Sequence, residues 1–296
     1  MTPLLKAALF ATAAPVFFSG MSMLIRHVSS ELHALEIVFF RNLLALMWMT
    51  PWLLKVGVGG MRTKRFGMFG IRACISVVGM TAGFWAITEM PISEATALSF
   101  LAPIFATVGA ALFLGEDVRL RRWTAVIVGF LGAMVVLQPG AEMIRFGAIL
   151  ALINAVAAAG NKLVLKSLAR TEPAEVIITY MVLLLTPMTF IPALFVWVTP
   201  SWEMLGWMVL LAGCGTLGHY AITRAYALAD LTVVMPFDFT RLPITALLAF
   251  LLFAEIPTIW TWIGGALIFA STFYIARRES QLARARALEA QLAKVV

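Results

Sequence analysis

Ten apolar stretches follow one another along the chain, separated by short breaks with turn residues such as the Pro-Gly pair at 139–140. Each has about 17–25 residues, enough to cross the roughly 30 Å hydrocarbon core of a bilayer as a helix. In lipid, the backbone of such a stretch satisfies its own hydrogen bonds only as a helix. The sequence therefore predicts an all-α integral membrane protein with ten transmembrane helices, near residues 4–25, 34–54, 66–88, 92–114, 122–138, 145–167, 174–198, 203–227, 231–253 and 258–276.

The composition excludes a water-soluble fold. Of 296 residues, 62% are apolar and 12% are charged, whereas a soluble domain has about 45–50% apolar and roughly 25% charged residues. The net charge of +7 is explained by basic loops at a membrane surface. We therefore expect the lipid bilayer as the surrounding medium and no nucleic-acid partner.

Lysine and arginine residues are distributed unevenly between alternate loops. If the amino terminus is cytosolic, the outer loops have little beyond Arg26 and Arg145. Because cytosolic loops carry the excess of basic residues, we expect both termini on the cytosolic side of the cytoplasmic membrane. The inner loops would then hold Lys55, Arg62, Lys64, Arg65, Arg119, Arg121, Arg122, Lys166, Arg170, Arg277 and Arg278.

A weak internal repeat has an offset of 140 residues, which places Pro103 on Pro243. The same offset aligns Gly20 with Gly160 and Cys74 with Cys214. We infer a first five-helix copy at 1–140, a second at 141–276, and a basic helical cytoplasmic tail at 277–296. Because five is odd, the second copy enters the membrane inverted, as in many secondary transporters. A duplication kept only for stability is the alternative.

Three segments resemble the EamA family of the drug/metabolite transporter superfamily. These are LAPIFATVGAALFLGE at 101–116, its echo LPITALLAFLLFAE at 242–255, and EIVFFRNLLALM at 36–47. The resemblance implies ten helices, an inverted repeat, a cavity between the two copies, and export or exchange of small metabolites. Within the family the chain is most similar to bacterial amino-acid exporters, which implies a neutral or aromatic amino acid as substrate.

Polar residues deep in a span are costly and usually face the interior of the helix bundle. Asp238 and Arg241 are three residues apart, on one face of the ninth span. They are interpreted either as a structural ion pair or as cavity residues that orient the charged ends of a solute. His219 could carry a proton or simply bond a neighbour. We expect a substrate cavity lined by Ser19, Ser99, Asn154, His219, Tyr220, Asp238 and Arg241.

Prolines and one glycine are candidates for bending and gating. Pro103 and Pro243 each lack an amide donor and free a carbonyl in the preceding turn, at matching positions of the two copies. Pro15 and Gly79 are added as kink or gating residues. Gly79 is also expected to permit close helix approach.

Other charges and rings fit simpler interpretations. Arg41, Arg72 and Arg224 lie near enough to span ends to reach the interface or to pair. A few aromatic residues are expected to form the walls of the cavity, chosen from Phe17, Phe18, Phe84, Trp85, Phe100, Phe237 and Phe239.

The sequence has no catalytic triad order, no H-E-x-x-H motif and no Walker A loop. We therefore expect no enzyme, no cofactor and no metal. We expect a transporter that exports an amino acid by alternating access, and the sequence leaves open whether it works as a monomer. The alternatives are export of another metabolite or drug, a lipid-modifying membrane enzyme, and a non-transporting receptor.

Overall fold

The computed structural model describes residues 3–57, 61, 63–113, 120–138, 146–168, 171–229 and 231–292. Within these ranges all regular structure is helical. The helices, numbered in chain order, are α1 (Pro3–Val28), α2 (Ala34–Val56), α3 (Phe66–Glu89), α4 (Ile92–Ser99), α5 (Ala102–Phe113), α6 (Leu120–Leu137), α7 (Phe146–Leu168), α8 (Ala174–Leu194), α9 (Trp202–Leu228), α10 (Leu231–Phe239), α11 (Arg241–Phe253) and α12 (Ile259–Leu292).

The all-α membrane fold predicted from the sequence is confirmed. Nine stretches of the described chain are helical, at least 18 residues long and apolar enough to cross a membrane. The shorter apolar stretch Trp123–Leu137 of α6 occupies the place of the remaining predicted span. Eight predicted spans are single helices, whereas the fourth and the ninth are each divided into two.

The two divided spans break at equivalent positions. The fourth span is interrupted at Phe100 and Leu101, just before Pro103, and the ninth is interrupted at Thr240, just before Pro243. Each proline removes one amide donor from the helical ladder. The carbonyl of Phe100 instead accepts a hydrogen bond of 3.1 Å from the Thr272 hydroxyl of α12. A neighbouring helix thus satisfies a backbone group that the break leaves open.

The main contacts between helices join the two halves of the chain. The most extensive are α1 with α9, α3 with α7, and α6 with α12. In the first pair the two helices run antiparallel. His27, near the end of α1, contacts Trp207, near the start of α9, and Phe10 contacts Tyr220 at the opposite ends.

The helix pairs also show the symmetry of the duplication. The 140-residue offset carries α1 onto α7 and α9 onto α3, so the α1–α9 pair is repeated as the α7–α3 pair. Such exchange of partners is the result of placing one copy inverted against the other. The inverted repeat predicted from the sequence is therefore confirmed.

The crossing of α6 and α12 depends on two glycines in direct backbone contact. A Cβ atom on Gly264 would lie against the Gly132 carbonyl oxygen and 2.8 Å from the backbone nitrogen of Val136. Backbone atoms cannot rotate away as a side chain can, so the two helices would have to separate.

We expect Gly264→Ala to lower the free energy of unfolding by about 1–3 kcal/mol, the usual cost of overpacking. Gly70→Ala is the matched control, since a Cβ atom at this helical glycine meets nothing within 4 Å. Thermal unfolding of both variants in detergent checks the prediction. Equal melting temperatures for the two variants would contradict it.

Candidate functional site

A cavity of about 310 Å³ lies between the two halves of the protein. Its volume is at the lower end of the range for ligand pockets, about 300–1,000 Å³. Residues of α1 to α5 and of α7 to α12 line it, so both copies contribute. The breaks of both divided spans open onto this space, through Phe100 and Pro103 on one side and through Asp238 and Arg241 on the other.

Five of the seven residues predicted for the cavity line it, namely Ser99, Asn154, His219, Asp238 and Arg241. Pro103 and Gly79 line it as well. The five predicted residues that line the cavity come from five different helices, which belong to both copies. Only the fold brings them together.

The structure places the other predicted residues away from this cavity. Ser19 is fully buried between α1 and α11, where its hydroxyl lies 2.9 Å from that of Thr245. Tyr220 packs edge-on against Phe10 and beneath the guanidinium of Arg224. Pro15 is buried within the unbroken helix α1, and Pro243 is exposed in the first turn of α11.

Asn154 is held at the cavity by two glycines of α3. A Cβ atom on Gly83 would lie 2.9 Å from the side-chain carbon of the Asn154 amide, and one on Gly79 would lie 2.7 Å from Cβ of Ala157. Both positions therefore require glycine for α3 and α7 to approach. The close approach leaves the Asn154 amide at the junction of the main cavity and a smaller one of about 50 Å³.

Asp238 and Arg241 do not form an ion pair within 4 Å, and the described residues contain a single salt bridge, which lies elsewhere. Arg241 instead donates to the Ser22 hydroxyl at 3.4 Å and lies 5.4 Å from the centre of the Phe18 ring. The acid Asp238 and the cation Arg241 thus both line the cavity, and they are not bonded to each other.

Arg41 and Arg72 lie in the cavity wall, so their assignment to span ends was wrong. Arg41 is 1% exposed and Arg72 is 7% exposed, and both line the cavity. The sequence did contain a signal for them. Arg41 is the eighth residue of α2, roughly 10 Å into the span at 1.5 Å per residue.

Aromatic rings cover one wall of the cavity. Phe239 stacks on Phe269 with ring centres 4.1 Å apart, and the ring of Phe100 is 5.3 Å from that of Phe239. Of the aromatic residues expected to form the walls, Phe18, Phe84, Phe100 and Phe239 line the cavity. Phe269 was missed, because an isolated phenylalanine in the last span gives no pattern in the sequence.

One end of the molecule is closed by a polar network, which we call the Glu255 end. The Glu255 carboxylate lies 3.2 Å from the Arg26 guanidinium and accepts a hydrogen bond of 2.9 Å from the backbone nitrogen of Ile92. Arg26 also donates to the carbonyl of Met90. The start of α4 is thereby tied to the ends of α1 and α11.

The other end, which we call the Arg65 end, carries a second polar network. The cavity extends toward both ends, since its lining reaches Leu165 on α7, close to where that helix ends at Leu168, and Ile87 on α3, close to where that helix ends at Glu89. At the Arg65 end, Arg65 donates to the Ser167 hydroxyl at 2.6 Å, and the Thr63 hydroxyl donates to Glu172 at 2.6 Å. These contacts join the segments before α3 and after α7.

Comparison with known proteins gives consistent matches along the whole chain. The profile of the EamA-like transporter family matches residues 5–138 and again 145–277. A riboflavin transporter of Vibrio cholerae is 31% identical over 95% of this chain and 96% of its own length. A riboflavin transporter of Rhizobium johnstonii is 33% identical, with 94% and 93% covered. An S-adenosylmethionine uptake transporter of Rickettsia bellii is 26% identical, with 89% and 90% covered.

The network at the Glu255 end predicts a measurable change in backbone protection. We expect Glu255→Ala to raise amide hydrogen exchange in the segment 90–99 by at least about tenfold, since a hydrogen bond to a charged group contributes about 1.5–3 kcal/mol. Glu255→Gln keeps an acceptor for the amide of Ile92 and should have an intermediate effect. Exchange in the segment 63–72, at the Arg65 end, is the internal reference. Unchanged exchange in 90–99 for both variants would refute a closing role for Glu255.

Proposed function

Because the chain belongs to the EamA-like transporter family and is a membrane carrier of small metabolites, we propose that it moves a solute with a planar ring by alternating access. The observation that carries this proposal is the cavity between the halves, which combines a wall of aromatic rings with separate hydrogen-bonding groups. Pockets of this kind bind the apolar body of a ligand and orient it with a few polar contacts.

The ring wall supports a planar solute. The rings of Phe239 and Phe269 are stacked with 28° between their planes, and the ring of Phe100 is inclined to that of Phe239 by 45°. A flat heterocycle can extend such a stack, with about 0.5–1.5 kcal/mol per ring contact beyond the area that it buries. Riboflavin has a flat three-ring system and a hydroxylated chain, and two of the relatives are named as riboflavin transporters. Riboflavin is therefore the first solute to test.

The polar side of the cavity supports recognition of the rest of the solute. Asn154, Asn161 and Ser99 line it, and an amide side chain can both donate and accept hydrogen bonds. The Asn161 oxygen accepts from the Ser76 hydroxyl at 3.1 Å, so the Asn161 nitrogen remains available. Hydroxyl groups of a sugar-like chain match such donors and acceptors.

A neutral or aromatic amino acid is the second candidate. Asp238 and Arg241 both line the cavity without pairing to each other. An acid and a cation held apart in this way match the ammonium and carboxylate groups of a zwitterion. Tryptophan would also use the ring wall.

Alternating access gives a role to the polar networks at both ends. We propose that the Glu255 end and the Arg65 end open in turn, with the inverted copies exchanging roles. With both termini in the cytosol, as the basic loops indicate, the Arg65 end faces the cytosol. Export then follows the concentration gradient of the solute, from a higher concentration in the cytosol to a lower one outside.

Uptake into liposomes that contain only the purified protein tests the proposal. We expect entry of labelled riboflavin that saturates and that unlabelled riboflavin inhibits, with tryptophan and S-adenosylmethionine as comparison solutes. Saturable entry of tryptophan alone would favour the second candidate. No saturable entry of any of the three would contradict the proposed function.

A matched pair of variants tests the ring wall. Phe239→Leu keeps the apolar volume but removes the flat face, and we expect binding of the ring solute to weaken by about two- to tenfold, as for the loss of one aromatic contact. Phe250→Leu is the control, because this residue of the same span is 51% exposed on the outside of the bundle. Equal affinities for the two variants would show that the Phe239 ring does not contact the solute.

A further inference from the structure

We propose that the transported solute carries an anionic group, a carboxylate or a phosphate, and that Arg41 and Arg72 bind this group in the cavity. The inference rests on the proposed function, because it takes the cavity as the solute site. It goes beyond that function by assigning the charge of the solute and the residues that recognise it.

The basic residues of the cavity outnumber its acids. Among the lining residues that the structure describes, Arg41, Arg72, Lys162 and Arg241 are basic and Asp238 is the single acid. One acid cannot balance four basic residues, so the lining of the cavity has an excess of positive charge.

Arg41 and Arg72 have donors to spare. The Nε atoms of both are buried without a hydrogen-bond partner among the described residues. Arg41 donates through Nη1 to the Asn42 amide oxygen at 2.9 Å, and Arg72 reaches the carbonyl of Ile177 only at 3.5 Å. A guanidinium has five N–H donors in a planar fork that suits carboxylate and phosphate groups.

The two guanidinium groups act in the same region of the cavity. Both line it together with His219 of α9. Ser76 lies one turn after Arg72 on α3 and also lines the cavity, so a hydroxyl can add to the set of donors. Arg41 packs against Gly215 of α9, where a Cβ atom would lie 2.8 Å from Nη2. The guanidinium of Arg41 therefore packs closely on α9 at a position where a larger residue would displace it.

A structural role does not account for these arginines. Removing a charge from water costs several kcal/mol unless the charge is paired, and a charge within a membrane span carries a similar penalty. The equivalent positions in the second copy are Met181 and Ala212, which carry no charge. The repeat unit thus accommodates uncharged residues at these two positions of its second copy. In the first copy, an anionic group of the solute would compensate the buried charge.

Paired ligands that share a ring and differ in charge test the proposal. Their binding to the purified protein is measured from the thermal stabilisation that each ligand gives over a concentration series. Riboflavin is compared with riboflavin 5′-phosphate for the phosphate, and tryptamine with tryptophan for the carboxylate. Succinate supplies carboxylates without a ring. We expect the anionic member of at least one pair to bind at least about tenfold more tightly than its partner, as for a hydrogen bond to a charged group.

Variants of the arginines identify the site. Arg41→Gln and Arg72→Gln should abolish the advantage of the anionic member, while binding of riboflavin, the uncharged member of the first pair, changes by less than about threefold. Arg41→Lys should restore part of the advantage. Without ligand, the glutamine variants should melt at or above the wild-type temperature, because an unpaired buried charge has been removed. Arg224→Gln is the control, since this arginine is exposed and does not line the cavity.

The outcomes separate the two proposals. Tighter binding of the phosphate or carboxylate ligand that is lost in the Arg41 and Arg72 variants supports the anion site. The pair that shows it identifies the group that the site binds. Equal binding within both pairs, or an advantage that persists in both glutamine variants, overturns the anion site and leaves the carrier of ring solutes intact. Arginine-dependent binding of succinate without binding of either ring pair keeps the anion site and rejects the ring solute. Binding of none of the five compounds overturns the anion site.

Discussion

Close antiparallel packing between the two copies is the constraint on which the rest of the structure depends. In a bilayer, helix association gains little from the hydrophobic effect and relies on van der Waals contact, so small residues gather where backbones approach. Gly79 and Gly83 bring α3 against α7, and Gly132 and Gly264 bring α6 against α12. Because the tightest contacts join different copies, the space left between them becomes a cavity shared by both.

Broken helices add polar groups to this cavity beside those of the continuous helices. A continuous helix would satisfy its backbone internally and present only side chains, whereas the breaks before Pro103 and Pro243 place backbone and polar groups beside the cavity. Irregular backbone is tolerated at membrane depth only where protein or a cavity covers it. The repeat places two such breaks at equivalent positions, while the side chains around them differ between the copies. A cavity with two unlike sides can orient an asymmetric solute.

The sequence predicted the fold in detail because hydrophobic length and proline position are local signals. The spans and the inversion could be inferred from spacing alone, and so could irregular helix geometry near Pro103 and Pro243, which was predicted as kinks and is found as breaks. The site was harder to predict. Ser19 and Ser99 look alike in the sequence, yet one is buried against Thr245 and the other lines the cavity. Which face of a helix meets the centre is decided by its partners, so the sequence did not place Arg41 and Arg72 in the cavity wall.

Alternating access between the halves is the central claim, and two distances measured on one protein test it directly. Cys74 and Cys214 are first replaced by alanine. Spin labels are then placed at Glu31 and Ile256 for the Glu255 end, and at Lys64 and Pro173 for the Arg65 end. All four labelled positions are exposed in the native chain. Pulsed electron paramagnetic resonance then gives the distance across each end with and without saturating solute. The account predicts opposite changes, one distance lengthening as the other shortens. Two distances that stay constant, or that lengthen together, would contradict it.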